Sequence, residues 1–423
     1  MNLILITIFI IAYAAIALEH PLKVNKSAPA LISAGLLWTI YAAFTGHVVE
    51  QLDETLVSIA QIVFFLMGAM TIVEVVDAHD GFDVITERIK TRKMTTLLWL
   101  ISGVTFFLSA VLDNLTTTIV MLSVSRRLLG QREDKLFLAG VIVIAANAGG
   151  AWSPIGDVTT TMLWIGGQIT APAIVKGLII PSLINMLIPL LIVSYLYRGK
   201  EIVPPEKLLD TSGKYKTSAF ERSLMFFSGI GLLCAVPVFK TLTHLPPFMG
   251  ILFALGILWL VGEIIHGNKL NEEKEYLTLG AALQRIDMSS LVFFIGILLC
   301  VATLEHSHIL KALAEWLDRT VGNQSIIVTI FGLASAIVDN VPLVAASMGM
   351  YSVAQFPTDS FLWEFLAYAA GTGGSILIIG SAAGVAAMGI EKIEFFWYLR
   401  KISLLALAGY FGGAMTYILM ATT

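Results

Sequence analysis

Six carboxylates lie within or at the ends of long apolar stretches: Glu74, Asp77, Asp113, Asp157, Glu305 and Asp339. An ionisable side chain at membrane depth costs about 2.5–3.5 kcal/mol on insertion scales and reads by default as functional. All six are acids, and no Lys or Arg is expected at the same depth, so a cation is the partner that would satisfy them. Glu74, Asp77 and Glu305 lie near span ends, where solvation accounts for them equally well. Asp113 and Asp339 each follow an apolar leg and precede an asparagine, Asn114 and Asn340. An asparagine carbonyl can ligate a cation, and its amide can cap exposed backbone. Helix capping is the competing account, because Leu115-Thr116-Thr117-Thr118 and Val341-Pro342 can each start a helix. The two accounts are compatible, since a broken helix offers both a dipole end and free backbone groups.

A third element runs Asn147-Ala148-Gly149-Gly150-Ala151-Trp152-Ser153-Pro154-Ile155-Gly156-Asp157-Val158-Thr159-Thr160-Thr161. Its glycines and proline unwind the span and free carbonyls that can replace water around an ion. Asn147, Ser153, Asp157, Thr159 and Thr160 add oxygen ligands, the kind a hard cation prefers. Close helix packing through glycine is the alternative reading of this segment. The matching stretch offers Thr372, Ser375 and Ser381 but no acid, so the site is expected to be chemically asymmetric. A carboxylate in such a site can be neutralised by sodium or by a proton. Competition between the two for one carboxylate, combined with alternating access, suffices for exchange without a separate proton wire.

The elements that must position these groups follow from composition. The 423 residues are 57% hydrophobic and 13% charged, whereas soluble domains run at about 45–50% apolar and about 25% charged. This excludes a cytosolic enzyme, a nucleic-acid binder and a disordered scaffold, and indicates an all-α polytopic membrane protein. Cys234 and Cys300 lie in apolar runs and form neither a disulfide framework nor a metal-ligand pattern. Residues 1–18 lack a positive n-region and read as a retained span. Further spans are expected near 27–45, 57–76, 172–197, 223–240, 248–266, 289–305 and 394–419, with interrupted ones at 136–165 and 363–389, about ten crossings in all. The stretches 95–128 and 325–353 read as re-entrant hairpins with Asp-Asn at the tip; two short spans each is the alternative.

This layout puts all 26 Lys and Arg on one face except Lys176, Lys240, Lys311 and Arg319. By the positive-inside rule that face is cytoplasmic and both termini lie outside the cytoplasm. Residues 198–222 form the one long polar linker. The same order of elements appears on each side of it, so 1–197 and 223–423 read as two inverted repeats, each with a re-entrant hairpin and a broken helix. Paired Gly/Pro-broken segments in inverted repeats point to a secondary transporter with its site near the midplane. Segments 80–93 and 308–320 read as amphipathic surface helices. His20, His47, His79, His244, His266, His306 and His308 fall in loops or at span ends; His79, beside Glu74, Asp77 and Asp80, is the candidate pH sensor. No phosphate loop, dinucleotide fingerprint or hydrolase constellation occurs, so neither an enzyme nor a cofactor is expected.

At 109–118 (Ser-Ala-Val-Leu-Asp-Asn-Leu-Thr-Thr-Thr), 147–160, 339–342 (Asp-Asn-Val-Pro) and 371–386, together with Val73-Glu74-Val75-Val76-Asp77-Ala78-His79, the chain resembles the NhaD-type sodium/proton antiporters of the ion transporter superfamily. The resemblance extends over most of the chain. It implies ion-site roles for Asp113, Asn114, Asn147, Asp157, Thr159, Thr160, Ser335, Asp339, Asn340, Ser375 and Ser381, with sodium held at Asp113, Asn114, Asp157, Asp339 and Asn340. It further implies a transport domain moving against a scaffold, a homodimer, and a lipid setting such as a bacterial inner membrane. The expected activity is exchange of sodium or lithium for protons. A sodium-coupled dicarboxylate or oxyanion carrier is the alternative within the superfamily. Such carriers typically have Ser-Asn-Thr at the hairpin tips, and Asp-Asn at both tips here would repel an anion.

Overall fold

In lipid every backbone N–H and C=O must be paired within its own segment, so apolar runs fold as helices and end where the side chains can supply caps. The computed structural model describes residues 1–17, 23–46, 48–86, 91–203, 217–267, 275–337 and 339–422. The first half contains α1 (Asn2–Ala17), α2 (Ser27–Thr45), α3 (Val49–Ala78), α4 (Met94–Leu112), α5 (Asn114–Leu128), α6 (Arg132–Ala151), α7 (Val158–Ile165) and α8 (Ala171–Leu196). The second contains α9 (Ala219–Thr243), α10 (Pro247–His266), α11 (Met288–His306), α12 (Ile309–Thr320), α13 (Gln324–Ala334), α14 (Asn340–Met350), α15 (Phe361–Gly373), α16 (Ala382–Glu391) and α17 (Ser403–Thr422). Among the described residues, α2, α3, α4, α6, α8, α9, α10, α11 and α17 are long and apolar enough to cross a membrane. The protein is an all-α polytopic membrane protein.

Two expectations change in detail. The segment 95–128 does not have two short legs: α4 is 19 residues and of spanning length, because nothing in 94–112 interrupts the helix before Asp113. Only the second pair, α13 and α14, is short in both legs, at 11 residues each. The span placed at 394–419 divides into a short helix Phe395–Lys401 and α17. The amphipathic helix expected at 308–320 is α12, which buries Leu310 and Ala314 and exposes Leu313 and Trp316. Of the segment at 80–93, residues 87–90 lie outside the described residues, as do His20, His47 and linker residues 204–216. The described start of the linker folds back on the first half, where Ile202 N–H donates to the Arg92 carbonyl (2.8 Å) and Gly130 N–H to the Val203 carbonyl (2.8 Å).

Two glycine contacts set how closely the site helices approach. A Cβ on Gly149 of α6 would lie 2.2 Å from the Phe106 carbonyl of α4, and one on Gly373 of α15 would lie 2.0 Å from the Gly332 carbonyl of α13. Beside each contact a serine closes the gap: Ser109 Oγ donates to the Ala146 carbonyl (2.6 Å) and Ser335 Oγ to the Ala370 carbonyl (2.8 Å). The same contact therefore recurs at corresponding places in the two halves, and it carries the tip of each helix pair up to the break in its neighbour. Backbone carbonyls cannot move aside as a flexible side chain can, so Gly373→Ala is expected to destabilise the protein by about 1–3 kcal/mol. Gly103→Ala, where the added Cβ meets nothing within 4 Å, is expected to leave the unfolding midpoint in detergent unchanged; equal midpoints for both variants would contradict the close approach.

Candidate functional site

Four chain breaks converge. Asp113 is the single residue between α4 and α5, with φ 85° and ψ 161°, a region where a residue with a Cβ is strained. Its carboxylate stabilises that turn by capping α5: Thr116 N–H donates to Oδ1 (2.8 Å) and Thr116 Oγ1 to Oδ2 (3.0 Å). Asp157 ends the break after α6 and caps α7, accepting from Thr159 N–H (3.1 Å), while Thr160 Oγ1 donates to the Asp157 carbonyl (2.9 Å). Ser381 does the same for α16, accepting from Gly384 N–H (3.2 Å). Asp113 therefore caps a helix and also lines the small cavity beside Asp157.

The asparagines join the breaks together. Asn114 Nδ2 donates to Asp157 Oδ2 (2.9 Å) and to Asn147 Oδ1 (2.9 Å). From the other half, Asn340 Nδ2 donates to Asp157 Oδ2 (3.2 Å). Asn147 then turns its own amide to Ser375 Oγ and Ser381 Oγ, at 2.9 Å each. Asp157 is 2% exposed and the three asparagines 0–4%. Among the described residues neither Asp113 nor Asp157 has an ion-pair partner, and both line one small cavity of about 20 Å³, enough for a single water-sized occupant. Ser153 is not part of this network; its hydroxyl accepts from Ile155 N–H (3.4 Å).

The expectation that no basic residue stands beside these acids fails at two positions. Lys26 Nζ lies 2.9 Å from Asp339 Oδ2, and Arg285 Nε lies 2.6 Å from Glu74 Oε1. Both cations sit in segments read as loops, and helix ends folding over the core bring them to the acids. Glu74 and Asp77 line a cavity of about 210 Å³ that reaches Met70 and Thr116, and Met70 also borders the small cavity. Glu305, near the end of α11, lines a cavity of about 280 Å³ shared with Glu54 of α3 and with His306. His79 is buried: Nδ1 meets the Val75 carbonyl at 2.6 Å and Nε2 meets Nε2 of His266 at 2.7 Å.

The family model described as a citrate transporter matches residues 4–373. The chain is 50% identical to sodium/proton antiporter 1 of Arabidopsis thaliana, covering 97% of this chain and 71% of that protein. It is 49% identical to sodium/proton antiporter 2 of the same plant, over 97% of this chain and 98% of that protein. It is also 31% identical to the Na(+)/H(+) antiporter NhaD of Vibrio cholerae, over 98% of this chain and 90% of that protein. The chain belongs to the NhaD-type antiporter family. Within this NhaD-type chain the sequence did not single out Lys26, Arg285, His266 or Tyr398, whose hydroxyl donates to the Ser375 carbonyl (2.8 Å). No spacing rule links Lys26 to Asp339 across 313 positions.

Asn147 is the member whose removal is expected to cost most. Asn147→Ala removes three buried hydrogen bonds, to Ser375, Ser381 and Asn114, a loss of about 2–4 kcal/mol. Ser153→Ala is expected to change stability by less than about 1 kcal/mol. Thermal unfolding of the purified proteins compares them, and a destabilisation of Ser153→Ala matching that of Asn147→Ala would contradict the network.

Proposed function

We propose that the protein exchanges sodium or lithium for protons across the membrane by alternating access, with both ions competing for the carboxylates of Asp113 and Asp157. One observation carries this reading: Asp157 is buried, receives amide protons from both halves, and has no cationic partner among the described residues. An ionised carboxylate in low dielectric with only neutral donors is costly. A bound sodium or a bound proton removes that cost, and either one excludes the other. Asn114, Asn147 and Asn340 hold the oxygens in place, and Thr159, Thr160, Ser335, Ser375 and Ser381 supply the caps and packing that keep the breaks in register.

The relatives' names, sodium/proton antiporter and Na(+)/H(+) antiporter, support the same exchange. The family model's description names citrate, but an anion would meet the carboxylates of Asp113 and Asp157 at close range, and no observation here favours it. We read the halves 1–197 and 223–423 as inverted repeats, on the strength of the paired Gly149/Gly373 and Ser109/Ser335 contacts. The cavities of about 210 and 280 Å³ lie at separate stretches of α3, and we read them as the two approaches of an alternating-access cycle. A homodimer with both termini outside the cytoplasm completes the proposal.

Everted vesicles provide the test. Adding sodium chloride to respiring vesicles is expected to dissipate the proton gradient, and Asp113→Asn and Asp157→Asn are each expected to lower that response at least about 100-fold, as loss of an essential exchanging group would. Normal exchange by either variant would remove that acid from the site.

A further inference from the structure

Two acids occupy corresponding places at the tips of the helix pairs, yet their surroundings differ. The cavity beside Asp113 is closed by Leu233, Val236 and Ile251, all apolar. Beside Asp339 stands Lys26, its Nζ 2.9 Å from Oδ2 and 4.3 Å from the centre of the Phe293 ring. The two side chains of the pair are 22% and 16% exposed, so the ammonium is largely withdrawn from water. Its position is set from both sides in the chain. Asn25 Nδ2 donates to Ser289 Oγ (2.8 Å), and Ser27 Oγ donates to the Ser289 carbonyl (2.8 Å). Lys26 is thus clamped to the start of α11 and presented to the tip of the second pair, where the Tyr13 hydroxyl of α1 also lies near Asp339.

We propose that Lys26 is a specificity-determining residue of the exchange: its ammonium permanently takes the cation's place at Asp339, closing that acid to sodium and confining the transported ion to Asp113 and Asp157. This rests on the exchange reading given above. The physical reason is charge counting. Asp113, Asp157 and Asp339 would together be open to as many as three monovalent ions, and one tethered cation removes one of those places. A tethered ammonium meets its carboxylate at a local concentration that free sodium does not match. The Asp339 carboxylate in turn screens Lys26 from Asp157, which Asn340 links to the same tip. In this arrangement Asp339 acts on sodium through Lys26, and it is not itself a ligand of the ion.

Equilibrium binding of radioactive sodium to the purified, monodisperse protein separates these roles. Lys26→Met is expected to bind one more sodium per chain than the unmodified protein, because an anion is exposed. Asp339→Asn is expected to weaken sodium binding at least about tenfold, the effect of an uncompensated charge several ångströms away at an effective dielectric near 20. The double variant Lys26→Met/Asp339→Asn, neutral at both positions, is expected to regain the unmodified number and affinity. An unchanged sodium count in Lys26→Met, or a double variant as weak as Asp339→Asn, would overturn the proposal and make Asp339 a direct ligand. If Lys26→Met does not fold, the comparison of Asp339→Asn with the double variant decides alone. Failure of the unmodified protein to bind sodium at all would count instead against the exchange reading.

Discussion

A carboxylate enclosed by protein, held by the amides of two asparagines from opposite halves and facing no fixed positive charge among the described residues, is the constraint on which the other features depend. Asn114 and Asn340 can both reach Asp157 only if the two helix tips meet at the break after α6. The tips meet there because Gly149 and Gly373 let backbone pack against backbone. Asn147 then ties the same point to the second break through Ser375 and Ser381. Each donor in this set is neutral. The network therefore orders the oxygens without cancelling their charge, the condition on which the proposed exchange depends.

The halves share a contact pattern but not a charge pattern. Asp157 caps α7 where Ser381 caps α16, and Asp113 caps α5 where Asp339 instead pairs with Lys26. Matching contacts in the two halves thus surround one acidic centre without an ion pair among the described residues, with Ser381 neutral and Asp339 paired to Lys26 at the corresponding places. Strain follows the same division. Asp113 holds φ at 85° and its own carboxylate stabilises that turn, while Asp339 has φ −48° and makes no side-chain cap. The side chain at 113 stabilises its own turn, whereas the one at 339 pairs with Lys26 from a distant segment.

Much of this was readable from residue order. Apolar length places the helices, and the Asp-Asn pairs and Gly-rich breaks locate every member of the central network, because acids and helix breakers are costly inside such runs. The asymmetry at Ser381 was also visible, as a missing acid. What could not be read depends on contacts between distant segments. Lys26 and Arg285 look like ordinary loop cations until the fold brings them against Asp339 and Glu74. His79 stands among acids in sequence, yet its ring pairs with His266, 187 positions away. The length of α4 was underestimated because the hairpin reading took both legs of 95–128 as short, although nothing before Asp113 interrupts the first.

The direct test of one carboxylate serving both ions is proton release on sodium binding, followed with a pH indicator in weakly buffered detergent solution. Adding sodium to the purified protein near neutral pH is expected to release protons in proportion to the sodium bound, and Asp157→Asn is expected to abolish the release. Sodium binding with no accompanying protons, or release that persists undiminished in Asp157→Asn, would contradict competition at this group.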